Sequence, residues 1–519
     1  MKKGHNRVVF KPYTMDQPSL LPPSLDELVP ADHLVRVVNH TIDQLNIEPL
    51  LKKYKGGGTS SYHPQMMLKV MVYAYTQRIY TSRRIAKALR ENIQFMWISG
   101  MNRPDFRTIN RFRSSVMKDV VDEVFTSVLQ FLIEKKFVKL ENYYVDGTKI
   151  ESSANRYQFV WGKSTKNYHE RLQEKIKLLL KEIEEENKKE EKEYGENDLE
   201  EMGGGNDDVN GEQLKKMIEG LNKRLQEKPE DKRLAKSVKI LEADYLPREE
   251  KYEEQEKILA GRKSYAKTDP DATFMRMKED HMRNGQLKPG YNVQIGTENQ
   301  FVVSFSIHQR PGDTSCLIPH LERMKKQYGR LPQRVIADAG YGSEENYAYL
   351  GKEHIQNYVK YNRFQQEQKR SWRKQYFRVE NWKYEIESDR YICPTDQQLV
   401  FRRTFQKKTE NGYPSTIREY ECPSCEGCPV KLQCTKSEGN RRVQVSPDLN
   451  RFRDQARMNL LSEKGRILSI QRNVEVEPVF GQIKHNWGFR RFLLKGTDKV
   501  KTEWGLVCIA HNIAKLAVQ

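Results

Sequence analysis

From Asp26 to about Lys139 apolar residues recur at helical spacing. Within that stretch the run MMLKVMVYAYTQRIY, Met66 to Tyr80, is too apolar for an exposed face and predicts a buried central helix. His63-Pro64 just before it is a helix-start signal, because proline suits the first helical turn. A helix over TSRRIAKALRENIQFMWISG, a break at RPDF and a further helix over RTINRFRSSV follow, the last carrying Arg107, Arg111 and Arg113. This pattern is compatible with helix-turn-helix docking on DNA and equally with an ordinary basic helical bundle.

The period changes at FVKLENYYVDGTKIES. Strands are predicted at YYVDG, GYNVQIGTE, FVVSFSIHQ, RVIADAGY and QNYVKYN, with a helix over CLIPHLERMKKQYG between the third and fourth. That order describes a mixed α/β sheet. Two insertions interrupt it. From about Thr165 to Leu259 the chain is rich in Lys and Glu. Its apolar residues recur at Leu172, Ile176, Leu179 and Ile183, and again at Leu214, Met217, Leu221 and Leu225. Such narrow seams predict antiparallel, coiled-coil-like helices joined by the flexible link MGGGNDDVNG. The second insertion, about Gln365 to Asn450, alternates like strands at WKYEI, YIC and QQLVFRR and holds most of the cysteines. The resulting plan is a helical DNA-binding domain over 1–139 and a first core segment over 140–164. A charged helical insertion over 165–262 precedes the continued core over 263–364. A Cys-bearing β insertion over 365–455 and a helical closing part of the core over 456–519 complete it.

Charge narrows the class of partner. The 519 residues carry a net charge of +19, with 31% charged and only 37% hydrophobic residues, which points to a polyanion and to solvated helices or arms. No apolar run approaches a membrane span, and MKKGHNRVVFKPYTMDQ has neither the apolar core nor the cleavage site of a signal peptide. Seven cysteines, an odd number, suit reduced thiols or metal ligands in a cytoplasmic protein.

Candidate chemistry sits in the strand pattern. Asp146 ends the first strand ahead of Gly147 and Thr148, and Asp338 ends the fourth in VIADAGYGS. Unpaired carboxylates in apolar strands are costly, and the carboxyl ends of adjacent strands form the usual crevice for ligands. Two such aspartates suit hard divalent cations, and a third carboxylate from a later helix would complete a two-metal site for phosphoryl transfer.

With these residues in place the chain resembles bacterial insertion-sequence transposases of the DDE class, which have an RNase H-like core. The resemblance is narrower still to the insertion-sequence family numbered eleven-eighty-two. It is carried by YYVDGTKIES, DPDA, GYNVQIG, DAGYGSEENY, CPSCEGCPVKLQC and EPVFGQIKHNWGFRRFLLKG, in that order along almost the whole chain. It implies cleavage at transposon ends and strand transfer into target DNA. Asp146, Asp338 and Glu477 would hold two Mg2+ (or Mn2+) ions, and a homodimer would assemble on double-stranded DNA in the bacterial nucleoid. The rival readings on the same residues are a metal-dependent nuclease that does not join ends and a domesticated DNA-binding regulator. In the group's fuller signature three residues separate an arginine from the glutamate; here Arg472 stands four residues before Glu477, with no tyrosine at the expected place.

Two glutamates compete for the third position. Glu477 lies seven residues before Lys484, nearly two helical turns, so the two would share a face, whereas Glu475 points away. Pro478 then requires a helix start or a kink beside Glu477. Asp269 and Asp271 read as loop-capping residues, Cys508 and His511 as packing residues, and His308 as a further site candidate. Lys149, Lys484, Arg490 and Arg491 join Arg107, Arg111 and Arg113 as DNA contacts, with Trp487 and Phe489 as either stacking or core residues. Cys422, Cys425, Cys428 and Cys434 follow C-x2-C-x2-C-x5-C, with Cys393 upstream. Four of these five suit a structural zinc, with an iron–sulfur cluster as the runner-up.

Overall fold

The structure, a computed structural model, describes residues 23–54, 61–194, 208–277, 286–409 and 411–518, with backbone alone over 186–194. The N-terminal stretch 1–22 and most of the link MGGGNDDVNG lie outside the described residues.

The apolar run does form a central helix, α1 (Pro64–Thr76), with Pro64 in its first turn and the His63 ring accepting the Gln65 N–H. Ten of its residues are buried, which leaves no exposed apolar face to explain. After the shorter helices Ser82–Glu91, Ile93–Ile98 and Phe106–Arg111, the chain enters α2 (Met117–Glu134). The break at RPDF ends in Asp105, whose carboxylate caps the Phe106–Arg111 helix.

The central sheet has strands β1 (Asn142–Glu151), β2 (Thr273–Arg276), β3 (Leu287–Glu298), β4 (Phe301–His308), β5 (Arg334–Ala337) and β6 (Gln356–Val359). Its order is β2-β3-β1-β5-β6, with β4 also on β3. β3 and β4 run antiparallel to their partners, while β1, β5 and β6 are parallel. This is the mixed α/β arrangement expected of an RNase H-like core. β2 was not legible in sequence, because four residues pairing with the start of β3 are too few to show alternation. β3 and β4 join through Asn299 and Gln300, both at positive φ as a two-residue hairpin turn requires. Glu298, just before that turn, accepts the N–H groups of Lys139, Leu140, Glu141 and Asn142 at 2.5–3.2 Å and so anchors the start of β1.

Between β1 and β2 a two-stranded ribbon, Phe159–Trp161 with Ser264–Ala266, leads into helices α3 (Gly162–Tyr194), α4 (Gly211–Glu227), α5 (Lys232–Ile240) and α6 (Leu246–Leu259). These share a small core of their own around Leu172, Ile176, Leu214, Leu221, Val238 and Leu241. The insertion is therefore more than a two-helix seam: Ile218 rather than Met217 takes the buried position on α4, because α5 and α6 widen the face it must cover.

The second insertion folds as an all-antiparallel sheet of β7 (Lys383–Glu385), β8 (Arg390–Ile392), β9 (Gln398–Lys408), β10 (Pro414–Glu421) and β11 (Arg442–Val445). The chain then returns through α7 (Pro447–Leu461) and α8 (Glu463–Glu475), and closes with α9 (Thr497–Leu516). α9 packs against α1, α2 and β4, with Trp504 fully buried, so one apolar core joins the N-terminal helices to the sheet. Cys508 and His511 lie inside that core. The DPDA acids cap its approach: Asp269 accepts the Gly496 N–H and the Tyr291 and Ser152 hydroxyls, and Asp271 accepts the Thr497 N–H.

Candidate active site

Parallel pairing puts Val145 of β1 opposite Ala337 of β5, so the next residues, Asp146 and Asp338, stand side by side. The strands then differ. β5 stops, because the Asp338 carboxylate caps a 3-10 turn by accepting the Gly340 N–H at 2.9 Å. β1 does not end at Asp146 as the sequence suggested; antiparallel pairing with β3 carries it on to Glu151. Asp146 Oδ1 accepts its neighbour's N–H, from Gly147, at 2.8 Å. The second oxygens of both aspartates face one guanidinium: Asp146 Oδ2 is 3.4 Å and Asp338 Oδ2 3.9 Å from Arg472 Nη2.

The third acid arrives at the same guanidinium. α8 ends at Glu475, Val476 interrupts it, and a short helix Glu477–Gly481 begins with Pro478 in its first turn. On an unbroken helix Arg472 and Glu477 would point about 140° apart. The break turns Glu477 back, and its Oε1 stands 3.9 Å from Arg472 Nη1. Glu475 goes elsewhere: buried, it accepts the Gln300 N–H of the β3–β4 hairpin at 2.7 Å, and burial raises its pKa. The two glutamates, two residues apart, thus face opposite tasks.

Arg472, marked in the sequence only by its spacing to Glu477, faces all three acids. It is 7% exposed, and among the described residues its Nε has no hydrogen-bond partner. Nitrogen–oxygen separations of 3.4–3.9 Å are charge contacts rather than hydrogen bonds. Two further neighbours carry no sequence signal. Lys360, directly after β6, has its pKa lowered by burial and then by Arg472, with Asp338 opposing. Asp313, in the loop after β4, lies beside Gly147 and Gly340. Tyr341, buried beneath them, has its hydroxyl pKa raised well above the ordinary value by burial, then by Asp313, Asp146 and Asp338.

Two family models match the chain: one described as a transposase domain (DUF772) over residues 23–115, the other as a transposase DDE domain over residues 392–517. The chain is an insertion-sequence transposase of the DDE class. No curated protein and no solved structure gives a significant match. Glu477 and Arg472 fall within the matched DDE segment, whereas Asp146, Asp338 and Asp313 lie outside both matched segments. The place of those aspartates in the transposase therefore rests on strand register and distance.

The transposase distributes its predicted cations unevenly. Arg107 and Arg111 are exposed, but Arg113 is buried and donates to the Tyr80 carbonyl at 2.7 Å, near the buried Glu503. Lys484 is also buried, its Nζ donating to Thr148 Oγ1 at 3.0 Å next to the Lys149 carbonyl. Lys149 is half-buried, and Arg490 and Arg491 are exposed while bonding the Lys484 and Ser152 carbonyls. Trp487 and Phe489 belong to the core beside His511, Tyr80 and Trp504, which removes them as base-stacking residues. His308 bonds Ser306, and burial lowers its pKa to about 4. Cys393, Cys422, Cys425, Cys428 and Cys434 all line one small cavity, where Cys425 Sγ accepts the Arg441 N–H at 3.3 Å. Burial, and then Cys425, push the Cys422 thiol up to about 12. Among the described residues no three His, Cys, Asp or Glu side chains are grouped, as they stand, to hold a metal ion. Among them, too, no helix is long and apolar enough to cross a membrane.

Proposed function

We propose that this is a transposase of the eleven-eighty-two type that binds the terminal inverted repeats of its element, cleaves the ends and joins them to target DNA. The observation that carries the reading is the meeting of Asp146, Asp338 and Glu477, from three distant segments, on one buried guanidinium. Carboxylates brought together in an apolar sheet need positive charge among them. Their hard oxygens fit Mg2+ or Mn2+, and Arg472, contacting them without hydrogen bonds, marks where that charge is wanted. Asp146, Asp338 and Glu477 would hold two such ions, which supply an activated water or 3′-hydroxyl and stabilise the leaving oxygen.

The chain's own residues do the remaining work. The Gly147 and Gly340 N–H groups fix the two aspartates, and Lys484 braces β1 through Thr148. Arg472 and Lys360 offer cations to a scissile phosphate at the same spot, while exposed Arg107, Arg111, Arg490 and Arg491 contact the DNA backbone. Two copies would act together, one at each transposon end.

The test is incubation with Mg2+ and a labelled DNA end taken from beside the gene. Joining should be lost with Asp146→Ala, Asp338→Ala and Glu477→Ala and retained with Glu475→Ala. Joining that persists without either aspartate overturns the reading. Cleavage by the wild type without joining would favour a nuclease, and binding without cleavage a regulator. The cysteines are proposed as a structural zinc site on composition and shared cavity, and zinc-free protein with unchanged melting would remove it.

A further inference from the structure

The second insertion and α7 enclose a cleft of about 1240 Å3, lined by none of the three acids. It exceeds the roughly 300–1,000 Å3 of small-molecule pockets, which favours an extended ligand. One wall is aromatic. Tyr384 of β7 pairs with Tyr391 of β8, their rings 4.7 Å apart, and Tyr391 meets Tyr420 of β10 at 5.0 Å. The Tyr384 and Tyr420 hydroxyls both donate to Asp389 Oδ1, at 2.7 and 2.8 Å, which holds the rings in place. Tyr384 nevertheless stays 38% exposed at the cleft.

The cleft is strongly basic: six arginines line it against two acids, Glu380 and Asp454. Both acids are already paired, with Arg363 and Arg457. Arg378, Arg441 and Arg453 form no ion pair within 4.0 Å among the described residues. The buried Nε atoms of Arg441 and Arg453 have no hydrogen-bond partner there either. Such donors call for an acceptor, and arginines crowded together call for negative charge. The crowding is direct: burial, and then Arg453 and Arg378, lower the Arg363 pKa. The Arg378 and Arg363 guanidiniums also share the Trp372 ring, at 4.3 and 5.9 Å.

The cleft also opens close to the acids. Lys360 stands beside Asp338 and Arg472, and Arg363, three residues on, lines the cleft, so their Cα atoms are at most about 11 Å apart. Ser415 of β10 and Ser446 at the start of α7 both donate to Glu344 Oε2, at 2.5 and 2.8 Å, in the helix that follows the Asp338 turn. Both walls are thereby anchored to one carboxylate. We propose that this cleft is a second DNA site, which takes an unpaired strand leaving the acids, with phosphates on Arg378 and Arg453 and a base on Tyr384. Paired bases offer no free ring face, so a wall of rings beside arginines suits a single strand. The inference rests on the DNA-joining role proposed for the acids.

Fluorescence anisotropy of a short labelled oligothymidylate on the full chain is the readout, with melting temperature as the check on folding. In the double variant Arg378→Gln and Arg453→Gln the Kd should rise about tenfold or more, and the slope of log Kd against log salt should fall by about 1.4, about 0.7 for each phosphate contact. Tyr384→Leu should weaken binding about tenfold at an unchanged slope, and Tyr384→Phe, which keeps the ring, should match wild type. The double variant Lys236→Gln and Lys239→Gln, on exposed positions of α5, loses the same charge and should also match wild type. An iododeoxyuridine strand should crosslink the wild type at Tyr384 or Tyr391, and that result decides the matter for any variant that melts lower. Unchanged affinity in both cleft variants, an equal loss in the lysine variant, crosslinks only outside the cleft, or a hairpin duplex that competes equally each overturns the proposal. Joining by the wild type then leaves the active-site reading standing. A wild type that neither joins ends nor binds oligothymidylate overturns both.

Discussion

Replacing Arg472 with methionine keeps an unbranched side chain and removes the guanidinium that all three acids face. At an effective dielectric of about 20, the 3.4 Å contact with Asp146 is worth roughly 5 kcal/mol of gross attraction. Desolvation cancels most of it. The Asp338 and Glu477 side chains are 44% and 61% exposed, so solvent screens their contacts further. Removing one partner of a buried pair costs about 3–5 kcal/mol, and this half-open case belongs near or below the lower end, about 2–3 kcal/mol. A divalent cation on the same oxygens gains what the guanidinium no longer opposes. A unit charge about 4 Å away repels a divalent ion by roughly 2 kcal/mol even in water, enough for a tenfold change in affinity or more. Arg472→Met should therefore unfold at lower urea without metal, bind Mn2+ about tenfold more tightly, and regain stability at saturating Mg2+. Urea titrations with and without Mg2+, together with Mn2+ EPR, measure both effects. Wild-type stability without metal, or Mn2+ affinity that stays equal or falls, would refute the view that the guanidinium and the metal claim one position.

Four further outcomes follow from the structure. Burial raises the pKa of Glu475, so its favourable contribution is complete below the unfolded carboxylate pKa and lost as pH rises through the folded one. Glu475→Gln, which can still accept the Gln300 N–H, should then be up to about 1 kcal/mol more stable than wild type at pH 7, converge with it in acid, and still join DNA. Glu477→Gln should abolish joining without a stability change beyond about 0.5 kcal/mol, because that side chain is exposed. Burial lowers both His308 and His511 to about 4, so the stability they contribute is present above about pH 6.5 and lost as pH falls toward 4. Each adds up to about 1.4 kcal/mol per pH unit, and His511→Gln should flatten that slope in urea melts at successive pH values. In Gly147→Ala the new methyl would lie 2.1 Å from Gln294 Nε2 and 2.7 Å from Asp313 Oδ1, so about 1–3 kcal/mol of stability should go, with cleavage lost as Asp146 shifts. Stability and cleavage equal to wild type would show that the strand yields there.

Local pattern was enough for much of this protein. Alternation located five of the six central strands, and two apolar strands ending near acids singled out Asp146 and Asp338 before any fold was known. Helical spacing to Lys484 preferred Glu477 over Glu475, and Pro478 correctly demanded a helix start. These are short-range properties, set by backbone period and by what a proline can donate. The tertiary structure alone decided which charges meet. Glu477 meets Arg472 where α8 breaks at Val476, and an unbroken helix would have pointed the two about 140° apart. Asp313 sits in RPGDTS, an ordinary loop in sequence, and gains its place because β3 offers two amides and Gly147 leaves room. Arg113, Lys484, Trp487 and Phe489 look like surface contacts for DNA, yet the closing helix and β1 cover them. Whether a cation or an aromatic ring faces water depends on segments hundreds of residues away. A linear pattern can show which side chains share a local face, but not which distant segment will be packed over it.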